Sequence, residues 1–309
     1  MDQSIISKQT CIVLGGGIGN VMQALPTVSA ISCEHKVDVV LMCHQAEQVA
    51  DLIRSDSIGE IYTSSLPKKE YDYHLQGPFC DIEIRAKKVI KPRIRWDQHL
   101  PEHKVYYDMA EQIKIKTPTQ KYQLELLPGG YDPGPDTVVI YPGSKHNWAM
   151  KRWDKFDILA REFKYVLVVG TAQDIKSHGD PTWIKRKWNW PDQVEIYYAD
   201  LSDMAYTISL CAAFIGNDGG LSHVAASTGI PTFVLFGPSS PTKNKPYGEN
   251  AHSIHTNLEC QPCQFKKGLQ YFGEDKSNCP FKMKCMTGLS VKQVKQKVVS
   301  IVGDSIVND

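Results

Sequence analysis

Long apolar segments and an excess of charge are both missing from this sequence of 309 residues. No hydrophobic run approaches the roughly 18–20 residues that a bilayer-spanning helix needs. The first residues, MDQSIISKQTCIVLGG, lack the charged start and the apolar stretch of a secretory signal. The formal net charge is +1, which gives no overall field that would attract nucleic acid or an anionic membrane. We therefore expect a globular protein of the cytoplasm.

Complete nucleotide-binding fingerprints are missing as well. In LGGGIGNVMQALP, residues 14–26, Gly17 and Gly19 supply two glycines of the dinucleotide motif, but Met22 occupies the third position. The next strand, KVDVVLMC, ends without the acidic residue that would bind a ribose, and no Gly-Lys-Ser/Thr is found in the turn. Neither NAD nor a P-loop nucleotide is expected. What remains is a glycine-rich turn that either brings backbone N–H groups to an anionic or polar ligand or only packs closely.

Apolar runs alternate with helical patterns along the whole chain. TCIVLGG and KVDVVLMC read as strands, with a helix between them that Pro26 is expected to break or kink. The densest glycine and proline segment, LPGGYDPGPD, is expected to link two domains, and the same alternation restarts after it. A repeated strand-helix order predicts parallel sheets covered by helices. The sequence thus predicts an α/β fold of two doubly wound Rossmann-like domains, residues 1–130 and 131–309.

Polar residues follow three of the predicted strands in the second domain. Ligands of such sheets bind beyond the carboxyl ends of the strands, so these residues should share one crevice. Hydroxyl, amide and cationic side chains at a helix start suit a diphosphate, although a helix cap and a packed histidine explain Asp218 and His223 equally well. The candidates are Ser144, Asn147, Lys151, Arg152, Gly170, Thr171, Asp218, Gly219, Gly220 and His223.

Several ordered motifs resemble one enzyme family. GIGNVMQALP, YPGSKHNWAMKRW and IGNDGGLSHVAASTGIPTFVLFGPSSP are similar to the signature segments of the heptosyltransferase-like glycosyltransferases, family nine of the GT-B fold. LECQPCQ, NCPFKMKCM and the closing LSVKQV resemble the cysteine cluster and last helix of many members. The resemblance implies two domains that face a central cleft, with a closing helix able to cross back to the first domain. It also implies inverting transfer of a sugar, heptose or a related one, from a nucleoside-diphosphate donor to a hydroxyl acceptor.

The resemblance also implies roles for the residues at matching positions. Lys151 would neutralise the leaving diphosphate, and Ser144 and Asn147 would donate hydrogen bonds to it. Fixed donors and a cation are suited to this task because negative charge develops on the leaving group. The amides of Gly219 and Gly220 would cap the pyrophosphate. Asp218 would accept from sugar hydroxyls, with His223 beside them.

Asn20 departs from the family pattern, because heptosyltransferases typically have an aspartate there as the base that deprotonates the acceptor. An amide does not act as a base at neutral pH. Asn20 therefore positions the acceptor, or the base lies elsewhere in the first domain. Asp81, Asp97 and His99 are candidates for that base, with ordinary solvated loop residues as the alternative interpretation.

Four of the nine cysteines cluster near the end of the chain: Cys260, Cys263, Cys279 and Cys285. In a reducing compartment, such a cluster favours a metal over a disulfide. Four sulfur ligands suit tetrahedral zinc, with iron as the alternative, and a closed site of this kind is structural. Reduced thiols without a ligand are the other interpretation.

The acceptor is left open by the sequence. RAKKVIKPRIRW, residues 85–96, is a solvated basic edge or a surface for a phosphorylated acceptor. A glycan or lipid-linked saccharide is the first expectation, and a modified DNA base or a protein side chain is an alternative. A sugar-nucleotide epimerase and a non-catalytic scaffold that binds nucleotide sugars are further alternatives from other classes.

Overall fold

The computed structural model describes residues 8–94, 100–116, 122–144, 150–176, 187–264 and 279–308. The chain forms two compact units, with a boundary between Glu125 and Leu126. Each unit carries its own parallel β-sheet.

The first unit has five parallel strands in the order β3-β2-β1-β4-β5. They are β1 (Gln9–Gly16), β2 (Lys36–Cys43), β3 (Ile61–Tyr62), β4 (Tyr71–Gln76) and β5 (Ala86–Ile90). The central strand β1 is an apolar run with buried side chains from Cys11 to Leu14, as expected for a parallel strand covered on both faces. The strand order reverses direction between β1 and β4, and this switch point is where doubly wound sheets open a crevice.

Among the described residues, the helices that accompany this sheet are α1 (Ile18–Ser32), α2 (Ala46–Ile53) and α3 (His103–Gln112). A break at Pro26 is wrong, because α1 continues past that residue, whereas a kink there stays a prediction. Proline removes one backbone donor from a helix, but Leu25, Pro26 and Val28 are all buried. The burial of this apolar face outweighs the missing hydrogen bond.

The second unit has six parallel strands in the order β11-β10-β9-β6-β7-β8. They are β6 (Thr137–Tyr141), β7 (Tyr165–Val169), β8 (Val194–Tyr197), β9 (Ala213–Asn217), β10 (Thr232–Leu235) and β11 (Ala251–Ile254). The switch point of this sheet lies between β6 and β9.

The helices of the second unit are mostly short. They are α4 (Phe156–Leu159), α5 (Ala172–Lys176), α6 (Leu201–Ser209), α7 (Gly220–Ser227), α8 (Pro241–Asn244), α9 (Lys284–Thr287) and α10 (Val291–Val302). Helix α7 ends before Gly229, which has a φ of +96° and therefore suits a glycine after a helix. Helix α10 buries Val294 and Val298 in the core of this unit. The return of this helix to the first domain stays a prediction.

The segment after Trp153 is less helical than its amphipathic pattern predicts. Helix α4 covers four residues and passes into a 3₁₀ turn over Ala160–Glu162. Phe163 then forms an antiparallel bridge with Val307 near the end of the chain. This long-range pairing fixes an extended backbone at Phe163 and stops the helix, so tertiary contact overrides local preference.

The predicted α/β class with two doubly wound parallel sheets is confirmed. Within the ranges given above, no helix is long and apolar enough to cross a membrane.

Candidate active site

The polar segments of the second unit leave the sheet at one edge. Strands β6 and β9 are neighbours, with Tyr141 opposite Gly216. Ser144 follows β6 and Asp218 follows β9, so both lie at the carboxyl ends of adjacent strands. The structure thus brings together two of the three segments at the switch point itself, while the segment of Thr171 follows the next strand, β7.

Asn217, the last residue of β9, fastens these loops together. Its Oδ1 accepts the backbone N–H of Trp153 at 3.0 Å, and its Nδ2 donates to the carbonyl of Pro142 at 2.8 Å and to that of Gly143 at 3.2 Å. The side chain is fully buried. Buried amide groups of this kind hold a loop through paired donors and acceptors, so Asn217 is a positioning residue.

A buried ion pair occupies the centre of this edge. The Nζ atom of Lys151 lies 2.7 Å from Oδ2 of Asp218, and the two side chains are 8% and 5% exposed. Burial raises the pKa of Asp218, but the charge and hydrogen bond of Lys151 outweigh it, with help from Ser239 and His223. The pKa of Asp218 therefore lies below its ordinary value, and the pair is ionised. Asp218 therefore holds in place the ammonium group of Lys151, the cation that the sequence predicts for this site.

Helix α8 supplies residues that sequence reasoning missed. The Nδ2 of Asn244 donates to Oδ2 of Asp218 at 3.2 Å, and Oδ1 of Asn244 accepts from Nζ of Lys243 at 3.2 Å. Lys243 is only 2% exposed. The ammonium group of Lys243 is therefore linked to Asp218 through the side chain of Asn244. The segment PTKN follows the turn after β10 at the same edge of the sheet, but no pattern in it marks Lys243 as buried.

A chain of hydrogen bonds through Arg152 and Asp174 connects Ser144 to Thr171. The guanidinium of Arg152 donates to Oγ of Ser144 at 3.1 Å and to Oδ1 of Asp174 at 3.0 Å. The hydroxyl of Thr171 donates to Oδ2 of Asp174 at 2.7 Å. Arg152 and Asp174 are both buried. Arg152 thus supports the loop after β6, and Ser144 is already engaged by it.

The start of α7 carries the glycines and the histidine of the predicted site. Gly219 precedes the helix in an extended conformation, and a β-carbon there would lie 3.1 Å from the ring of Tyr141. The backbone can therefore lie closer to Tyr141 than any other residue type would allow. Gly220 is the first residue of α7, and helix starts present N–H groups that favour anions. His223 is buried one turn later, near enough to Asp218 to lower its pKa.

Three predicted site residues lie outside the described residues: Asn147, Asp97 and His99. Their predicted roles are untested.

The glycine turn of the first unit is closed by Asn20. Its Oδ1 accepts the backbone N–H of Gly17 at 2.7 Å, and its Nδ2 donates to Oε1 of Glu102 at 2.5 Å. Gly16 has a φ of +89°, and a β-carbon on it would lie 2.5 Å from Oδ1 of Asn20. Gly19 lies in the first turn of α1. Asn20 therefore shapes the turn and links it to the residue that precedes α3.

Asp81 is a poor candidate for a base. A hydrogen bond from Gln76 at 2.6 Å, followed by the charge of Lys91, lowers the pKa of this exposed carboxyl. A carboxylate whose pKa is lowered is a weaker proton acceptor.

The four clustered cysteines are free thiols that line one small cavity together with Met150 and Phe281. The side chain of Gln261 holds the first pair, because its Nε2 donates to the carbonyl of Gly237 at 2.9 Å and its Oε1 accepts from the N–H of Leu258 at 3.0 Å. Burial, followed by the influence of the other three cysteines, raises the pKa of Cys285 to about 12. Even so, among the described residues no three potential ligands form a ready metal-binding group. The predicted metal therefore stays a prediction.

The comparisons with known proteins agree with this arrangement. The family model described as glycosyltransferase family 9 (heptosyltransferase) matches residues 96–270, which is more than half of the chain. Lipooligosaccharide heptosyltransferase 2 of Campylobacter jejuni is 25% identical over 251 residues, which cover 75% of this chain and 76% of that protein. Lipopolysaccharide heptosyltransferase 1 of Pseudomonas aeruginosa is 31% identical over 99 residues, covering 30% of this chain and 28% of that one.

Solved structures share the fold. The structure of the Escherichia coli ADP-heptose lipopolysaccharide heptosyltransferase II has a TM-score of 0.64 at 18% identity, covering 95% of this chain and 98% of that one. The iron-containing dodecameric glycosyltransferase TibC from enterotoxigenic E. coli has a TM-score of 0.67 at 15% identity, covering 96% of this chain and 76% of that one. These likenesses confirm the predicted GT-B fold. Since the family model covers most of the second half and more than half of the whole, the chain belongs to glycosyltransferase family 9, the heptosyltransferase family, and is a glycosyltransferase.

Proposed function

We propose that this chain is an inverting heptosyltransferase that moves heptose from ADP-heptose to a hydroxyl group of a truncated lipooligosaccharide. Its family supports this proposal, as does the activity named for the Campylobacter relative. Two E. coli heptosyltransferase structures of the same fold contain ADP and ADP-2-deoxy-2-fluoro heptose. The observation that carries the proposal is the buried Lys151–Asp218 pair beside the start of α7.

The geometry suits a diphosphate leaving group. Negative charge grows on the diphosphate as the bond to the sugar breaks, and preorganised donors stabilise that charge most when water is excluded. Lys151 supplies a positive charge that Asp218 keeps in place, and the N–H groups of Gly219 and Gly220 supply oriented dipoles. Asp218 also accepts from sugar hydroxyls in this proposal. Asn147 keeps its predicted role as a phosphate donor.

A transfer assay tests the proposal. The purified chain is incubated with ADP-heptose and lipooligosaccharide from a heptose-deficient strain, and the product is followed by mass spectrometry. We expect one heptose to be added, and the product anomer, read by NMR, to have the configuration opposite to that of the donor. UDP-glucose and GDP-mannose serve as alternative donors.

Matched variants separate the site from the rest of the unit. Lys151→Ala removes the cation and should lower the turnover by about 10²–10³-fold, the range for loss of one transition-state donor. Lys292→Ala removes an exposed lysine of α10 and should leave turnover unchanged. Transfer at the wild-type rate by Lys151→Ala would contradict the proposal. Donor breakdown without any acceptor would favour the epimerase alternative, and nucleotide binding without turnover would favour the scaffold.

Three described cations of the basic stretch pair with carboxylates of their own unit: Lys87 with Asp72 at 2.8 Å, Lys91 with Asp81 at 3.6 Å and Arg93 with Asp108 at 2.8 Å. The side chains of these cations are also exposed, which fits a solvated basic edge. A DNA or protein acceptor is an outcome that the same assay can reveal with those substrates. A cytoplasmic location stays a prediction.

We further propose that Cys260, Cys263, Cys279 and Cys285 hold one structural metal ion, zinc or iron. The four thiols line one cavity, and four sulfurs are the donor set that both metals accept in closed tetrahedral sites. TibC, which has the same fold, is described as iron-containing. A bound ion would draw the sulfurs together and stabilise this part of the second unit.

Metal analysis decides between the two ions. Elemental analysis of protein purified without a metal-affinity tag should give about one zinc or one iron per chain, and iron would add visible thiolate charge-transfer absorption. Cys260→Ser should lower both the metal content and the melting temperature, whereas Cys33→Ser, at an exposed thiol, should change neither. Wild-type protein that contains no metal and melts at the same temperature as Cys260→Ser would contradict the proposal.

A further inference from the structure

In the glycine turn of the first unit, the oxygen and the nitrogen of the Asn20 side chain both take part in hydrogen bonds. Asn20 accepts from the N–H of Gly17 through Oδ1 and donates to Glu102 through Nδ2. The nitrogen of an amide only donates hydrogen bonds and is not a base at neutral pH, because its lone pair is delocalised into the carbonyl group. The proton of an attacking hydroxyl therefore needs another acceptor.

Glu102 is the carboxylate that the fold brings to this turn. It lies 82 residues further along the chain, directly before α3, and its Oε1 lies 2.5 Å from Nδ2 of Asn20. The turn follows β1 at the switch point with β4, where ligands of doubly wound sheets bind. Glu102 is 4% exposed, whereas Gly16 to Asn20 are half-buried. A hydroxyl that approaches the partly exposed turn thus comes within reach of a carboxylate that is sheltered from water.

A second buried polar group, the hydroxyl of Tyr106, lies near Glu102. Tyr106, one turn further along α3, is fully buried. Its burial raises the pKa of its hydroxyl, and the nearby Glu102 raises it further, followed by Cys80. Cys80 belongs to the loop after β4. The carboxylate therefore lies between the glycine turn, this loop and the start of α3.

We propose that Glu102 is the general base that activates the acceptor hydroxyl, and that Asn20 positions it. This inference rests on the proposed sugar transfer. As the hydroxyl oxygen bonds to the anomeric carbon, its proton passes to the carboxylate of Glu102. The bond from that carbon to the diphosphate oxygen breaks, and its electron pair leaves with the diphosphate. In this chain the carboxylate comes from the residue before α3 and the amide from α1.

Removal of the carboxylate gives the first test. Glu102→Gln keeps an oxygen that can accept from Asn20 but removes the base, so kcat should fall by about 10²–10⁴-fold, the usual contribution of a general base. The dissociation constant for ADP should stay within about twofold, because the proposed donor site belongs to the second unit. Glu111→Gln changes an exposed carboxylate of α3 and should leave kcat unchanged.

Reversal of the pair gives a sharper test. The double variant Asn20→Asp with Glu102→Gln moves the carboxylate to α1 and the amide to the position before α3. The carboxylate introduced on α1 would still accept from Gly17 and would receive the hydrogen bond from the introduced amide. We expect kcat at least about tenfold above that of Glu102→Gln alone, because a base is restored at the turn. A purely structural role predicts no such recovery.

The outcomes are distinct. Glu102→Gln with a kcat close to that of the wild type overturns the proposal. So does a folded Glu102→Gln variant that is inactive and that the double variant does not rescue, since the pair would then only hold the turn. A wild-type chain that transfers heptose to no acceptor overturns the proposed function itself, whereas loss confined to the Glu102 variants leaves it standing.

Discussion

At the scale of single residues, the proposed donor site contains a buried ion pair, Lys151 with Asp218. Both side chains are almost fully buried, and two opposite charges in such a place hold each other in their ionised forms. A buried pair contributes little net stability compared with apolar residues of the same volume, but a single member left alone is costly. The proposed donor role therefore gives a reason for this pair that folding alone does not.

Asp218→Asn should leave the ammonium of Lys151 buried without its counter-charge. We expect the free energy of unfolding to fall by about 3–5 kcal/mol, measured by urea denaturation. The double variant Lys151→Met with Asp218→Leu should regain most of that loss while binding no donor. Equal stability of Asp218→Asn and the wild type would contradict the account of this pair.

The acid stability of the protein should depend on Asp218 in a definite direction. Burial raises the pKa of Asp218, but Lys151, Ser239 and His223 outweigh it and lower the pKa. The contribution of the carboxylate to folding is therefore complete above the pKa of the unfolded chain, about 3.9, and is lost as the pH falls through the lower pKa of the folded state.

Urea midpoints from neutral to strongly acidic pH test this direction. The stability difference between the wild type and Asp218→Asn should be constant near neutral pH and should shrink below about pH 4. A difference that grows as the pH falls would show that the pKa of Asp218 is raised in the folded protein.

At the scale of the elements, one asparagine holds together the ends of β6 and β9, where we propose the donor site. Asn217 bonds to Trp153, Pro142 and Gly143. These bonds explain the asparagine of the Gly-Asn-Asp motif, which directly precedes Asp218 of the ion pair. The loop that carries Lys151 therefore has a fixed starting point on the sheet.

Asn217→Ala should leave one buried N–H and two buried carbonyls without their partner. Each lost buried group costs about 1–3 kcal/mol, so we expect the free energy of unfolding to fall by about 2–5 kcal/mol and the affinity for ADP to fall with it. Asn189→Ala, at an asparagine of the same unit that is less buried, should change stability by less than about 0.5 kcal/mol. Chemical denaturation and calorimetric titration of the same samples measure both effects.

The strands and their edges could be predicted from the sequence, because apolar runs that stop at Gly, Pro or Asp mark where parallel strands end. Asp218, Gly219 and Ser144 were expected after strand ends for that reason, and the structure has them there. The contact between Asn20 and Glu102 could not be predicted, since it joins residues 82 positions apart through the packing of the residue before α3 beside the glycine turn. Lys243 and Asn244 escaped notice because a lysine after a turn has no pattern that distinguishes a buried ammonium from a solvated one.

At the scale of the whole molecule, both units use the same strand order around a switch point. In each of them, glycines occur where a strand ends and a helix begins: Gly16 and Gly17 before α1, and Gly219 and Gly220 at α7. The first unit adds an amide and a carboxylate at that place, whereas the second adds cations and a carboxylate. The difference in charge agrees with an acceptor role for the first unit and a role in binding the anionic donor for the second.

The most direct test of the donor site is isothermal titration of the purified chain with ADP, UDP, GDP and CDP, beside Lys151→Ala and the control Lys292→Ala. The account predicts that ADP binds selectively, that Lys151→Ala weakens its affinity at least about tenfold through loss of the buried cation, and that Lys292→Ala binds it like the wild type. Failure of the wild type to bind any of the four nucleotides, or an affinity for ADP that is indifferent to Lys151, would contradict the account.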